Sequence, residues 1–208
     1  MKGIKNLIFD FGGVIVDLAR NRCIEAFAQL GVDVHEQLGS VYHHKELFMQ
    51  LEIGAISADE FREGIRKRTD QPITYAQIDK AWIDMLGDVP PAKLDLLLAL
   101  RQRYNVFLLS NTNSIHWEWS EQEIFTYKGH TITDFFHKTY LSYELHLLKP
   151  NADIYEHVLR DAQILPGETL FIDDALVNCN AAEALGIQVY NAQPREDWSF
   201  LFEEKNLL

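Results

Sequence analysis

Four short polar motifs carry the residue types that a phosphoryl-transfer site would need. In chain order they are Asp10 before two glycines, Ser110-Asn111, Lys149-Pro150 and the pair Asp173-Asp174. Taken singly, the first three have ordinary explanations as a turn, a loop and a surface lysine. The acid pair is harder to explain, because adjacent carboxylates after an apolar run repel each other unless a cation lies beside them.

Together the motifs supply a nucleophile and the means to neutralise a phosphate. The Asp10 carboxylate could attack phosphorus and carry the phosphoryl group as an aspartyl-phosphate. Carboxylate and phosphate are both anions, so a cation must lie between them, and Mg²⁺ suits a site built from Asp10 and Asp174. We expect Lys149 to meet the phosphate and steady Asp10. The Ser110 hydroxyl and nearby backbone N–H groups would hold the other oxygens.

The elements that must position these motifs are short, continuously apolar runs. Such runs predict strands over 5–10, 106–110, 169–174 and 187–190. Their lack of alternation favours a parallel sheet covered on both faces. Helical patterns separate the later strands over 91–104, 152–162 and 177–185. This order predicts an α/β fold with a doubly wound parallel sheet, whose carboxyl edge would gather the motifs.

Residues 19–89 differ, because they contain no convincing buried strand. Capping-box patterns begin at Ser57 and Thr74, and apolar residues recur at helical spacing after each. We therefore predict an α/β core formed by 1–18 and 90–208, with an all-helical cap domain inserted over 19–89.

Two aromatic clusters could border the site. The cap has a polar-aromatic cluster of Tyr42, His43, His44, Lys45 and Glu46. This cluster is either a lid that contacts the leaving group or a solvated helix face. Trp117 and Trp119 follow the second motif and, being two residues apart, would not share a helix face. We expect at least one of them to pack in the core.

The amino-acid composition limits the classes of partner that this chain could bind. The formal net charge is −12 and no basic stretch offsets it, which argues against a nucleic-acid partner. No run approaches the length of a membrane span, and the N-terminus does not resemble a signal peptide. Cys23 and Cys179 fit buried small hydrophobes in a reducing compartment. We expect a cytoplasmic protein, a monomer or weak dimer, that binds a small phosphorylated substrate.

The ordered set of motifs resembles the haloacid dehalogenase-like hydrolase superfamily. The matching segments are 8–14, 108–111, 149–150 and 171–174, in the family's own order. The resemblance covers nearly the whole chain and implies a Rossmann-like core with a helical cap inserted after the first motif. Within this superfamily the chain is similar to a sugar-1-phosphatase branch that shares Asp-x-Gly-x-Val at the first motif.

The resemblance also implies roles for individual residues. Asp10 would be the nucleophile and a Mg²⁺ ligand, and the Gly12 carbonyl would be a second ligand. Asp174 would bind the metal directly, with Asp173 close to or in its shell. The residues that would hold the phosphate are Ser110, Asn111 and Lys149.

Gly12 departs from the pattern of most phosphatases in this family. They carry an aspartate there as general acid and base, and such a group contributes ~10²–10⁴-fold in rate. The absence of this general acid would slow the cleavage of esters with poor leaving groups most. We therefore hypothesise a preference for good leaving groups, such as anomeric sugar phosphates or acyl phosphates.

Three alternatives remain open at this point. A metal-independent haloacid dehalogenase would carry an aromatic residue at position 12 and no acid pair near the end. A response-regulator receiver would carry its acid pair at the first strand and its phosphorylated Asp later. A catalytically weak relative that binds a phospho-ligand or a partner protein would fit the glycine at position 12.

Overall fold

A parallel sheet of five strands forms the centre of the computed structural model, which describes residues 3–35, 38 and 47–203. The strands are β1 (Asn6–Phe9), β2 (Asn105–Ser110), β3 (Lys138–Leu141), β4 (Thr169–Asp173) and β5 (Gln188–Asn191). Their spatial order is β3-β2-β1-β4-β5, so the chain fills one side of β1 and then crosses to the other. The central strand β1 therefore lies where the strand order reverses, the usual place for a ligand in such sheets.

All four predicted strands are confirmed to within one residue at each end, but β3 has no counterpart in the prediction. It is an edge strand that begins with exposed Lys138 and half-buried Thr139. A strand covered on one side only has no continuous apolar run, so the pattern that revealed the others is missing here.

Helices pack around the sheet and form the segment between β1 and β2. That segment contains α1 (Arg20–Gln29), α2 (Leu47–Glu52), α3 (Ala58–Arg66) and α4 (Tyr75–Ile83), followed by α5 (Pro91–Arg101). The later helices are α6 (Ser114–Glu123), α7 (Ile132–Phe135), α8 (Ser142–Leu145), α9 (Ala152–Asp161), α10 (Leu176–Glu183) and α11 (Phe200–Glu203). The predicted helices over 91–104, 152–162 and 177–185 are confirmed as α5, α9 and α10, although α5 ends three residues early.

Both capping boxes are confirmed. The Ser57 hydroxyl accepts a hydrogen bond from the Glu60 N–H at 3.2 Å, and the Glu60 carboxylate accepts one from the Ser57 N–H at 2.8 Å. Thr74 and Gln77 make the same exchange at the start of α4. Each cap contributes about 1 kcal/mol to helix stability, which matters for helices of only nine residues.

Apolar side chains separate into three clusters. Alternate residues of each strand face opposite sides of the sheet, so Phe9 and Leu108 join one cluster whereas Ile8 and Phe107 join another. The third cluster lies among α1–α4 and includes one residue of α6, Ile115. The two chain segments that flank these helices lie side by side, with an isolated bridge between Leu18 and Leu86. The boundaries at 18/19 and 89/90 stay a prediction.

Several smaller predictions can also be compared with the structure. Trp117 is buried in the main cluster, as expected for at least one of the pair, and Trp119 packs against the same cluster half-buried. Cys23 and Cys179 are both buried and neither forms a disulfide, as predicted. The polar-aromatic cluster over 42–46 lies outside the described residues. Within the described ranges, no helix is long and apolar enough to cross a bilayer.

Candidate active site

Three carboxylates meet at the carboxyl edge of the sheet. Asp10 directly follows β1, and its N–H donates to the Ile172 carbonyl at 2.9 Å, which places it beside the end of β4. Asp173 ends that strand and Asp174 follows it. Each of the three acids offers an oxygen within 4.8 Å of the other two. The parallel register therefore brings together acids separated by about 160 positions of sequence.

Lys149 places one positive charge among these acids. Its ammonium lies 2.8 Å from Asp10 Oδ1 and 2.6 Å from Asp173 Oδ2, and its side chain is 1% exposed. Burial acts to lower the pKa of Lys149, but the two carboxylates outweigh it and hold that pKa above its usual value. Lys149 is therefore a permanent cation that fixes the Asp10 carboxylate.

Asn111 positions Lys149 through the main chain. Its Nδ2 donates to the Lys149 carbonyl and its Oδ1 accepts from the Lys149 N–H, both at 3.0 Å. Asn111, which the resemblance assigned to phosphate binding, thus has its side-chain amide engaged with the main chain of Lys149. Its backbone and the second hydrogen on Nδ2 are left to contact a phosphate.

Asp173 is a buried anchor rather than an open ligand. Its Oδ1 accepts hydrogen bonds from the Ala175 N–H at 2.8 Å and from Asn178 Nδ2 at 3.0 Å, and its Oδ2 pairs with Lys149. The side chain is fully buried. With both oxygens engaged, Asp173 holds Lys149 in place beside the other two acids. Its expected place close to or in a metal shell stays a prediction.

Asp174 and Asp10 are the acids with capacity left for a cation. Burial raises the pKa of Asp174, and the neighbouring Asp173 raises it further. Burial also raises the pKa of Asp10 well above its usual range, although Lys149 opposes this. Three carboxylates face one ammonium, so a divalent cation beside Asp10 and Asp174 would balance the charge that burial penalises. Oxygen donors of this kind suit Mg²⁺.

The turn after Asp10 leaves one backbone carbonyl oxygen available to a metal ion. The N–H of Gly13 donates to the Val16 carbonyl and the N–H of Val16 to the Phe11 carbonyl, which closes a tight turn. Throughout the part of the chain that the structure describes, no donor hydrogen-bonds the Gly12 carbonyl. That oxygen is free to be the predicted metal ligand.

Ser110 lies at the end of β2, beside β1, and is buried. Its hydroxyl makes only a weak 3.4 Å hydrogen bond, to the Asn111 carbonyl. The geometry thus brings Ser110 to the edge where Asp10 and Lys149 lie, with a hydroxyl that a phosphate oxygen could engage.

Comparison with known proteins identifies the family. The family model for haloacid dehalogenase-like hydrolases matches residues 4–186. The chain belongs to the haloacid dehalogenase-like hydrolases. Family membership excludes the receiver-domain alternative.

Characterised relatives of this hydrolase include a D-ribitol-5-phosphate phosphatase of Bacteroides thetaiotaomicron. It is 37% identical over 195 residues, which span 94% of this chain and 95% of the relative. A crystal structure of a family enzyme from the same organism, in complex with magnesium and inorganic phosphate, superposes with a TM-score of 0.91. That enzyme is 47% identical, with 97% of this chain and 100% of the other covered. A protein of Porphyromonas gingivalis described as a predicted haloacid dehalogenase-like hydrolase is 35% identical, with a TM-score of 0.89 and 97% of each chain covered.

One residue of this hydrolase's site was missed at the sequence level. Asn178 donates to both oxygens of Asp173, at 3.0 and 3.1 Å, from the first turn of α10. The available signal was a polar residue five positions after Asp173 in an otherwise apolar helix start. Such a residue can reach back to the end of the preceding strand.

Substitutions of the two glycines after Asp10 test whether the turn must lie close to the Asp174 carboxylate. Gly13 has a φ of +79°, and a Cβ there would collide with the Asp174 carboxylate. Gly13→Ala should lower stability by about 1–3 kcal/mol and weaken Mg²⁺ activation by at least tenfold. Chemical denaturation and Mg²⁺ titration of activity measure the two effects.

Gly12→Ala is the control. Position 12 does not have a positive φ, and a Cβ there would meet only the flexible end of Leu18 at 3.3 Å. We expect stability within about 1 kcal/mol and Mg²⁺ activation within threefold of wild type. Equal losses in the two variants would contradict the proposed contact between Gly13 and Asp174.

Proposed function

We propose that this hydrolase is a Mg²⁺-dependent phosphatase that cleaves a small sugar or polyol phosphate through an aspartyl-phosphate on Asp10. The observation that carries the proposal is the placement of Asp10, which is ion-paired to buried Lys149 and lies beside Asp174 in a site with surplus negative charge. The phosphatase named among the relatives supports the same reaction class.

The reaction has two displacements at phosphorus. The Asp10 carboxylate attacks the phosphate ester, the bond from phosphorus to the alcohol oxygen breaks, and the alcohol oxygen takes a proton from solvent water, because position 12 carries no acid. Water then attacks the aspartyl-phosphate, which releases inorganic phosphate and restores the Asp10 carboxylate. Lys149 keeps the nucleophile oriented and offers positive charge to the transferring group, while the Ser110 hydroxyl binds one of its oxygens.

Mg²⁺ would be held by the Asp10 carboxylate, the Gly12 carbonyl and the Asp174 carboxylate. When bound, it neutralises the phosphate and lowers the repulsion between two anions. The unused Gly12 oxygen and the raised pKa of Asp174 fit this set. In this assignment Asp173 positions Lys149 through their ion pair.

The substrate class follows from the relative rather than from Gly12. D-ribitol 5-phosphate is a primary ester with a poor leaving group, whereas Gly12 suggested a preference for good leaving groups. We propose a primary sugar or polyol phosphate as the physiological class. An anomeric phosphate is the second candidate, favoured by the lack of a side chain at position 12.

Phosphate release over a small panel tests both proposals. The panel is D-ribitol 5-phosphate, D-ribose 5-phosphate, α-D-glucose 1-phosphate and p-nitrophenyl phosphate, each with Mg²⁺ and with EDTA. We expect primary esters to give the highest kcat/KM, EDTA to remove at least 99% of turnover and excess Mg²⁺ to restore it. A higher kcat/KM for the 1-phosphate would favour the second candidate.

The remaining alternatives have their own outcomes in this assay. EDTA-resistant release of halide from a 2-haloacid would indicate a dehalogenase. No turnover of any phosphate ester, together with saturable phosphate binding, would indicate a catalytically weak relative.

We further propose a cytoplasmic monomer or weak dimer that does not bind nucleic acid. The net charge of −12 supports the last point. Light scattering coupled to gel filtration at two protein concentrations tests the oligomeric state.

A further inference from the structure

Glu52 carries a carboxyl group for which the described residues of the chain provide no partner. It ends α2 and is half-buried. Within residues 3–35, 38 and 47–203, no group donates a hydrogen bond to its carboxylate or forms an ion pair with it. Burial raises the pKa of Glu52 to about 7. A shielded acid without a partner costs stability, and a bound ligand that hydrogen-bonds it would offset that cost.

The backbone of Glu52 is fastened next to the second sequence motif. Its carbonyl accepts a hydrogen bond from Ser142 Oγ at 2.6 Å, and Ser142 Oγ in turn accepts a hydrogen bond from the Thr112 N–H at 2.9 Å. Thr112 comes directly after Ser110 and Asn111. A single buried hydroxyl therefore links the end of α2 to the loop expected to hold the phosphate.

Two further contacts hold the same turn against the core. The Ile53 carbonyl accepts a hydrogen bond from His146 Nδ1 at 2.9 Å. Gly54 has a φ of +69° and lies so close to the Tyr143 carbonyl that a Cβ would collide with it. Three consecutive residues thus contact α8 and the residue that follows it, and α8 comes directly after β3 at the carboxyl edge of the sheet.

The face of α2 that carries Glu52 is also defined by packing. Phe48 precedes Glu52 by four positions, so the two share a helix face. Phe48 contacts Trp82 with ring centroids 4.7 Å apart, and Trp82 stacks on His116 of α6 at 4.3 Å. Because α6 begins right after the second motif, Glu52 lies on the junction between helices α1–α4 and the sheet edge.

We propose that Glu52 is a specificity-determining residue that hydrogen-bonds a hydroxyl of the substrate's alcohol portion and disfavours a second anionic group there. The proposal rests on the phosphatase function proposed above. A carboxyl with no protein partner can exchange a hydrogen bond with a hydroxyl, whereas a carboxylate or second phosphate at the same place would be repelled. This chemistry selects neutral polyol monophosphates over bisphosphates and phosphorylated acids.

The test compares Glu52→Ala and Glu52→Gln with Glu25→Gln, a control at an exposed position of α1. The measured quantity is the ratio of kcat/KM for D-ribitol 5-phosphate to that for p-nitrophenyl phosphate, which has no hydroxyl groups. Glu52→Ala should lower this ratio about 10- to 100-fold, whereas Glu52→Gln, which can still hydrogen-bond, should lower it less than fivefold. Glu52→Gln should also raise kcat/KM for D-ribulose 1,5-bisphosphate relative to p-nitrophenyl phosphate by at least fivefold.

The outcomes separate this inference from the proposed function. Absence of Mg²⁺-dependent turnover of p-nitrophenyl phosphate by the wild type would overturn the proposed function. Wild-type turnover with an unchanged ratio in Glu52→Ala would overturn the role of Glu52 alone. Thermal unfolding of each variant shows whether it is folded. The ratio compares two substrates on the same preparation, so a partial loss of active protein lowers both kcat/KM values equally and does not change the ratio.

Discussion

Replacing Asp10 with asparagine should lower kcat by about 10⁴-fold or more, because it removes the atom that attacks phosphorus. The amide is nearly the same size and can remain near Lys149, so the variant should fold. Phosphate release at saturating substrate, with and without Mg²⁺, measures the loss. A pre-steady-state burst of released alcohol, ahead of phosphate release, would report accumulation of the aspartyl-phosphate in the wild type.

Asp59→Asn is a suitable control for the aspartate substitution. Asp59 pairs with Arg62 on the surface of α3, and its side chain is 74% exposed. Its loss should change kcat less than twofold. If Asp10→Asn kept a tenth of the wild-type kcat, the nucleophile would have to be another group.

Replacing Lys149 with methionine should lower both activity and stability. The variant leaves Asp10 and Asp173 buried side by side without their cation, and breaking a buried ion pair in this way costs about 3–5 kcal/mol. We expect kcat to fall by about 10³-fold, since the nucleophile loses its orientation and the phosphate loses a positive charge. Chemical denaturation in EDTA and steady-state kinetics measure the two losses.

The stability loss of Lys149→Met should depend on pH. Without the ammonium, burial and repulsion by Asp173 are unopposed and raise the pKa of Asp10 further in the folded protein, which therefore binds a proton more tightly than the unfolded chain. Stability of the variant should fall relative to wild type as the pH rises from 5 to 8. A deficit that is equal at both pH values would contradict this account.

Lys138→Met serves as the control for a lysine at the protein surface. Lys138 pairs with Asp161 and its side chain is 52% exposed. Exposed pairs contribute roughly 0–1 kcal/mol, so this variant should remain close to wild type at both pH values.

The contrast between these two lysines shows what sequence patterns convey. Lys149 and Lys138 are indistinguishable by residue type, and only the Pro after Lys149 and the order of the motifs singled it out. Its burial, and its pairing with acids 139 and 24 positions away, are properties of the folded sheet. A lysine alone in the sequence would be read as a solvated surface residue.

Features that depend on short stretches of chain could be predicted from the amino-acid sequence. Continuous apolar runs marked β1, β2, β4 and β5, because strands buried on both faces cannot alternate. Serine and threonine caps marked the starts of α3 and α4, since the capping hydrogen bonds span only three residues. The order of strands and helices then implied a parallel sheet, and with it a shared edge for Asp10, Ser110 and Asp173.

How the side chains at that edge divide their tasks depends on the folded chain. Asn111 holds the backbone of Lys149 through hydrogen bonds between residues 38 positions apart, which the ends of neighbouring elements bring together. The enclosure of Glu52 likewise depends on Ser142, 90 residues away. Local patterns cannot specify such pairings, because a polar side chain has the same sequence neighbours whether it faces solvent or a buried partner. The choice between those states is made by long-range packing and by the need to satisfy each buried polar group.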